Sequence, residues 1–155
     1  MIRDDIKAAT IAAMKGGDKE TTATLRLASA AIKNRDIEAR TGGAPKDDDA
    51  LVTEVLQKMV KQRRESAEVY RKGGREDRAA AEEAEITVIE RFLPKQLGDA
   101  DAEAEIRAII AEAGASSMKD MGRVMALVKE RLGATIEPAR ASGLVKAALS
   151  QATHA

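Results

Sequence analysis

Apolar residues recur along this chain at helical spacing, and glycine pairs and prolines interrupt them. Apolar positions three and four residues apart predict amphipathic helices, because they line one face of a 3.6-residue turn. The first predicted helix runs from Ile2 to Lys15 and ends at the pair Gly16-Gly17, which supplies a left-handed cap. The second begins after Asp18, a good N-cap, and runs to about Arg40.

Two longer predicted helices follow. The acidic run Asp47-Asp48-Asp49 suits the positive end of a third helix, which closes at Gly73-Gly74. A fourth covers Arg75 to Leu93, with an apolar stripe predicted at Ala81, Ala84, Val88 and Phe92 and widened by Ile86, Ile89 and Leu93. Pro94 stops it, because proline lacks an amide donor and biases the residue before it away from helical angles.

Three shorter helices are predicted after Pro94, at about residues 101–113, 118–132 and 138–151. The change from long to short helices predicts two modules, a bundle at residues 1–94 and a three-helix module at 95–155. Aromatic residues make up 1% of the chain and charged residues 34%, so the core must use Ala, Leu, Ile, Val and Met. This composition favours an all-α fold.

Charge and cysteine content narrow the possible functions. Lysine plus arginine equals aspartate plus glutamate at 26 each, so any contact with nucleic acid must be local. There is no cysteine for a disulfide or a thiolate site, and no apolar run approaches the roughly 20 residues of a membrane span. No cluster of residues suits catalysis, a metal or a cofactor, so we expect none of these, and we expect a cytoplasmic location.

Glu85 is the acid that the helical pattern places among apolar neighbours. A half-buried carboxylate normally needs a cation, so an internal ion pair is the favoured reading over a catalytic acid. The candidate partners on neighbouring helices are Arg26, Arg63 and Arg64.

The stretch from Lys58 to Arg78 is locally basic. Its candidate phosphate-binding residues are Arg63, Arg64, Arg71 and Lys72. A solvated helix surface with ion pairs four residues apart, such as Lys61 with Glu65 and Arg64 with Glu68, explains the same pattern about equally well.

A second basic set lies in the predicted tail module, where Lys119 and Arg123 are four residues apart and Arg140 and Lys146 follow on the next helix. These four cations could converge on one surface. Gly122 lies within the same segment, and a helical glycine costs about 1 kcal/mol relative to alanine. Close packing of a neighbouring helix is the favoured explanation for it, and approach of a ligand backbone is the alternative.

Several separated sequence blocks resemble one protein family in the same order. They are Thr24-Leu25-Arg26-Leu27, Ala30-Ala31-Ile32-Lys33, Lys61-Gln62-Arg63-Arg64-Glu65-Ser66, Glu82-Glu83-Ala84-Glu85-Ile86, Phe92-Leu93-Pro94-Lys95-Gln96-Leu97 and Met121-Gly122-Arg123-Val124-Met125. These blocks are similar to the GatB/YqeY family, which includes the tail of the B subunit of the glutamine-dependent amidotransferase acting on misacylated aspartyl- or glutamyl-tRNA. The resemblance covers nearly the whole chain.

The resemblance implies an N-terminal helical bundle followed by a three-helix tail that engages tRNA. It places Lys119, Arg123, Arg140 and Lys146 on tail-like helices that could face the tRNA. The turn at residues 134–139 departs from the lysine- and glycine-rich turn of the family tail, which weakens the RNA interpretation there. The large catalytic domain of the B subunit has no counterpart in this sequence, so the carbon-nitrogen ligase label of the family is expected to be inherited by resemblance.

Two hypotheses follow from different classes. The first is a tRNA-associated binding module, without catalysis of its own, that helps an amidotransferase or another tRNA-modifying or aminoacylation enzyme. The second is a protein-protein interaction scaffold with no RNA binding.

Overall fold

The computed structural model describes residues 1–45 and 47–154, with side chains as far as Gln151. The regular structure of that part is helical and contains no strand, which confirms the predicted all-α class. Its contacts group into two compact units, the first covering Met1–Leu93 and the second beginning at Pro94. We call them the bundle unit and the tail unit and describe each by itself.

The bundle unit consists of α1 (Ile2–Lys15), α2 (Lys19–Ala39), α3 (Asp48–Lys72) and α4 (Glu76–Glu90). The predicted caps lie at the start of two of these helices. The amide of Thr21 donates to the Asp18 carboxylate at 3.1 Å, and the amide of Ala50 donates to the Asp47 carboxylate at 3.2 Å. Each bond satisfies one amide that the helix itself leaves without a partner.

The core of the bundle unit lies between α2, α3 and α4, and α1 adds Ile6. Leu25, Leu56 and Ile89 are almost fully buried in it. Burying a leucine or isoleucine side chain of this kind contributes about 1.5–3 kcal/mol, so these contacts hold the helices together.

The predicted apolar stripe of α4 is confirmed at Ile86, Val88 and Ile89 and is wrong at its two alanines. Ala81 and Ala84 are exposed, whereas Ala79, Ile86 and Ile89 are buried. The isoleucines offer more apolar area than the alanines, so the helix turns them toward the core. Regular α-helix ends at Glu90, three residues before the predicted end.

A guanidinium joins three helices of the bundle unit. Arg3 of α1 donates to both carboxylate oxygens of Asp36 on α2, at 2.7 and 2.8 Å. It also donates to both oxygens of Asp48 at the start of α3, at 2.8 and 3.2 Å. Two bidentate contacts of this type are directional and charge-assisted, so they fix where α1 lies on its neighbours.

The tail unit consists of α5 (Asp99–Ala113), α6 (Met121–Leu132) and α7 (Pro138–His154). The predicted helix at 118–132 is divided, because Met118–Asp120 forms a 3-10 turn before α6 begins. Gly114 ends α5 in the left-handed conformation at φ 65°, which glycine adopts at little cost. The most deeply buried side chains include Ile106, Val124, Val128, Val145 and Leu149 from the three helices and Ile136 from the turn between α6 and α7.

The segment that opens the tail unit is hydrogen-bonded to the turn between α6 and α7. The amide of Leu97 donates to the carbonyl of Thr135 at 2.8 Å, and the side-chain amide of Gln96 donates to the carbonyl of Ala134 at 2.9 Å. Within that turn Glu137 accepts the amides of Ala139 and Arg140 at 3.0 Å each, and so caps α7.

Candidate nucleic-acid interface

Lys119 lies in the middle of the 3-10 turn of the tail unit and is exposed. The turn is held from both sides by Asp120, whose carboxylate accepts the amide of Ser116 at 3.0 Å and pairs with Arg123 at 3.2 Å. The hydrogen bond from Ser116 is the main cause that lowers the pKa of Asp120, and the positive charge of Arg123 lowers this pKa further. Arg123 is therefore exposed but already beside an anion.

Lys146 projects from the second half of α7 and is exposed. The hydroxyl of Ser150, one turn later on the same face, lies 4.0 Å from the sulfur of Met118. This contact places the C-terminal half of α7 beside the turn that carries Lys119. No hydrogen bond or ion pair engages Lys119 or Lys146 within the part of the chain whose side chains are described.

Arg140 belongs to the other end of α7. Its guanidinium donates to the carbonyl of Leu97 at 2.9 Å and to the carboxylate of Asp99. It precedes Ser150 by ten residues, which is about 15 Å along a helix. The structure therefore groups Lys119, Arg123 and Lys146 at one end of the tail unit, while Arg140 serves the opening segment at the other end.

The alternative basic set on α3 is engaged by carboxylates. Arg63 pairs with Glu85 at 2.8 Å, Arg64 pairs with Glu90 at 3.0 Å, and Lys72 pairs with Glu68 at 3.2 Å. The predicted pair between Arg64 and Glu68 is wrong, because α4 presents Glu90 to Arg64 and Glu68 pairs one turn further along α3.

Arg71 completes this ladder between α3 and α4. It lies 3.0 Å from Glu76 and 2.7 Å from Glu83. The hydrogen bond from Arg71 to Glu76 is the main cause that raises the pKa of Arg71, and the hydrogen bond to Glu83 raises it further. All four cations of the alternative set thus face carboxylates, and a phosphate would have to displace them.

Gly122 does not mark close packing. No atom from another element lies within 4 Å of the position that a Cβ would occupy, so the expected packing of a neighbouring helix against it is wrong in the described part of the chain. Gly122 is exposed on α6, next to Arg123. Approach of a ligand backbone stays a prediction.

A further group of cations, not predicted from the sequence, lies on α2 and at its C-cap. Lys19, Arg26, Lys33 and Arg40 are exposed, and no carboxylate lies within 4 Å of their charged atoms among the described side chains. The signal that identifies them is their regular seven-residue spacing, which keeps them on one side of a helix.

The described residues lack two features, a metal-ion cluster and a membrane-spanning helix. No group of three or more His, Asp or Glu side chains there is arranged to hold a metal ion. In the same part of the chain, every helix is too short or too polar to span a bilayer.

Comparison with known proteins relates the chain to one family over almost its whole length. The family model described as Yqey-like protein matches residues 3–149. A curated relative, altered inheritance of mitochondria protein 41, mitochondrial, from Eremothecium gossypii, is 36% identical over 92 residues, which are 59% of this chain and 46% of the relative. The protein of the same name from Vanderwaltozyma polyspora is 34% identical over 92 residues, with the same coverage.

A third relative, uncharacterized protein C22F3.15 from Schizosaccharomyces pombe, is 33% identical over 82 residues, covering 53% of this chain and 63% of the relative. The chain thus spans about half of the length of the first two relatives. Those two have a mitochondrial name, whereas a cytoplasmic location was expected from this sequence, and that expectation stays a prediction.

Proposed function

This chain belongs to the YqeY-like (GatB/YqeY) family, and from that premise we propose that it is a tRNA-associated binding module without catalysis of its own. In this proposal the tail unit contacts tRNA phosphates, and the chain assists an enzyme that modifies or aminoacylates tRNA. The RNA-facing residues are Lys119, Arg123 and Lys146, and Arg140 supports the unit from its other end.

The observation that carries the proposal is the difference between the two basic sets. Lys119 and Lys146 are exposed with no ion pair in the described part of the tail unit, so a phosphate can approach them without displacing a carboxylate. The cations of α3 pair with glutamates, and a phosphate could bind them only by breaking those ion pairs. Gly122 beside Arg123 leaves room for a ligand backbone to come close to α6.

The composition of the chain indicates how the tail unit would recognise RNA. Phosphate contacts fix position and carry no base information, whereas single-strand readers stack bases on aromatic side chains. The chain has one Phe and one Tyr, both in the bundle unit, at positions 92 and 70. We therefore expect recognition of RNA shape and phosphate, with little dependence on sequence.

The carbon-nitrogen ligase label of the family is not proposed as an activity of this polypeptide. We expect the purified protein to hydrolyse neither ATP nor glutamine, and to leave misacylated tRNA unchanged when alone. Turnover that copurifies with the protein and is lost in a Glu85→Gln variant would reverse this part of the proposal.

Titration of total tRNA at several salt concentrations tests the binding proposal. Phosphate contacts give a falling line of log affinity against log salt, with a slope of about −0.9 per neutralised phosphate on a duplex. If each of the three cations meets one phosphate, the variant K119A/R123A/K146A should flatten the slope by about 2–3 units. Arg140→Ala is measured separately, because that change also removes the contacts to Leu97 and Asp99.

The matched control is R63A/R64A/R71A/K72A on α3, checked for retained helicity. If the α3 variant loses tRNA binding and the tail variant keeps it, the tail assignment is wrong. If the unchanged protein does not bind tRNA at about 50 mM salt, where phosphate contacts are strong, the RNA proposal itself is wrong.

A second candidate function, a protein-protein interaction scaffold, is favoured by a separate observation. The outward face of α2 exposes apolar side chains that the core of the bundle unit does not use.

A further inference from the structure

Helix α2 has two apolar faces, and only one of them packs in the core. Leu25, Ala28 and Ile32 are buried against the other helices of the bundle unit. The opposite face, which we call the outward stripe, consists of Ala23, Leu27, Ala30, Asn34 and Ile37, all exposed. Leu27 and Ile37 keep 52% and 48% of their surface in solvent, which is unusual for large aliphatic side chains.

The spacing of the outward stripe is that of a helix-pairing seam. Its members follow one another at intervals of four, three, four and three residues. Apolar residues at an average interval of 3.5 form the contact line between two paired helices, because that line then stays toward the partner. Asn34 occupies the middle of the stripe, and a single polar residue in such a seam selects the register of the partner.

Three cations of α2 and one at its C-cap, with no carboxylate within 4 Å among the described side chains, form one edge of this stripe. Lys19, Arg26, Lys33 and Arg40 each precede the next by seven residues, and each lies immediately beside the stripe on the same side of the helix. We call this set the basic row. Arg26 donates to the sulfur of Met14 at 3.6 Å. The hydrogen bond from Arg3 is the main cause that lowers the pKa of Asp36, and the positive charge of Arg40 adds to it.

From the stripe and its charged edge we propose that the outward face of α2 docks an amphipathic helix of another protein, whose flanking edge carries acidic side chains. Residues on the edges of a helix seam pair with the edges of the partner and decide which partner is accepted. Because no carboxylate among the described side chains lies within 4 Å of these cations, the row calls for a row of anions on the partner. The apolar seam then supplies the contact area between them.

A second copy of this chain fits the face poorly. In an antiparallel pair of two α2 helices the basic rows would lie against each other, and like charges at that distance repel. In a parallel pair the basic row would face the other edge, where Thr24, Ala31 and Glu38 provide one acid. Nucleic acid fits less well than an acidic helix, because a charged phosphate backbone would not bury the exposed side chains of Leu27 and Ile37.

The proposal does not rest on tRNA binding by the tail unit, and its test uses different residues and probes. The probe is a synthetic helix of three heptads with leucine at the seam positions and glutamate on both edges. Its own glutamates keep it from pairing with itself. A second peptide has lysine in place of each glutamate. Both are titrated by calorimetry into the full chain and into the variant K19E/R26E/K33E/R40E.

We expect the chain to bind the glutamate peptide at least about tenfold more tightly than the lysine peptide, and the reversed variant to invert that preference. The inversion also shows that the variant is folded, because a disrupted face would bind neither peptide. The matched control K58E/K95E/R107E/K129E changes the same charge at exposed positions elsewhere and should keep the original preference. Asn34→Leu should tighten binding of the glutamate peptide several-fold, because it removes the polar residue from the seam.

Three results would overturn the proposal. The glutamate peptide does not bind, or it binds the reversed variant as well as the unchanged chain. A short RNA duplex binds instead and loses affinity in the reversed variant, in which case the surface reads phosphate. Sedimentation shows a dimer of the chain that Leu27→Asp dissociates, in which case the face is occupied by a second copy.

Discussion

The Nε atom of Arg63 lies 2.8 Å from a carboxylate oxygen of Glu85, across the contact between α3 and α4. The sequence had left three arginines, Arg26, Arg63 and Arg64, as alternative partners of Glu85. Arg64 instead pairs with Glu90, and Arg26 lies beside Met14. The predicted internal ion pair of Glu85 is therefore confirmed, and its cation comes from α3.

Glu85→Ala should lower the free energy of unfolding by about 1–2 kcal/mol. The loss is smaller than for a fully buried pair because Glu85 is 37% exposed, although Arg63 is only 14% exposed and would lose its anion. Chemical denaturation monitored by circular dichroism measures it. In a double-mutant cycle Arg63→Met should recover part of the loss, and strict additivity of the two changes would show that the pair contributes nothing.

Acid should weaken the attachment of α1. The hydrogen bond from Arg3, reinforced by its charge, lowers the pKa of Asp36. A group whose pKa is lower in the folded protein stabilises it above the unfolded value near 4, and this stabilisation disappears as the pH falls through the lower folded value. Asp36→Asn should lower the free energy of unfolding at neutral pH by about 1 kcal/mol. The free energy of unfolding of this variant should also fall less steeply with pH below about pH 4. Asp101→Asn, at an exposed position in the tail unit, is the control, and an equal effect of both variants would argue against this assignment.

Gly122→Ala separates packing from ligand approach. Because nothing occupies the space around Gly122, alanine should raise the stability of the tail unit by about 0.5–1 kcal/mol through its better helix propensity. The same variant should weaken tRNA binding if an RNA backbone comes close to α6. Gly114→Ala is the contrasting case: φ is 65° there, so the unfolding free energy should fall by about 1 kcal/mol.

Limited proteolysis tests the predicted boundary at residues 94–101 and the loop at 41–46. The bond after Lys95 is the expected trypsin site, because Lys95 is exposed and is the one Lys or Arg within residues 94–101. Part of the second target, Lys46, lies outside the described residues. A single resistant core with no cut in either window would contradict the two-module prediction.

The sequence predicted the helices well because their ends have local causes. Asp18 and Asp47 cap helices through bonds to amides three residues away, and Gly17 and Gly114 adopt left-handed angles. The predicted helix at 118–132 was less accurate. Asp120 accepts the Ser116 amide and Ser117 is extended, so a 3-10 turn forms before α6, and periodicity does not reveal such local bonding.

The site was harder to predict than the fold because it depends on distant pairs. Nothing near Arg140 in sequence identifies Leu97 and Asp99 as its partners, so the predicted convergence of four cations included one that serves a structural contact. The glutamates opposite Arg64 and Arg71 are likewise set by the register of α3 against α4. The basic row of α2, in contrast, was readable from spacing alone, since it lies on a single helix.

The two bidentate contacts of Arg3, to Asp36 and Asp48, also set an order of events during synthesis on the ribosome. Its two acceptors, Asp36 and Asp48, are made after α1, so α1 cannot be locked in place until the start of α3 has left the exit tunnel. At roughly 5–20 residues per second, the chain between Lys15 and Asp49 takes about 2–7 seconds to emerge. Ile6 still has no core to enter at the end of that interval, because the core side chains of α3 and α4 emerge later. The apolar surface of the nascent bundle unit therefore stays open to a chaperone until α4 has been made.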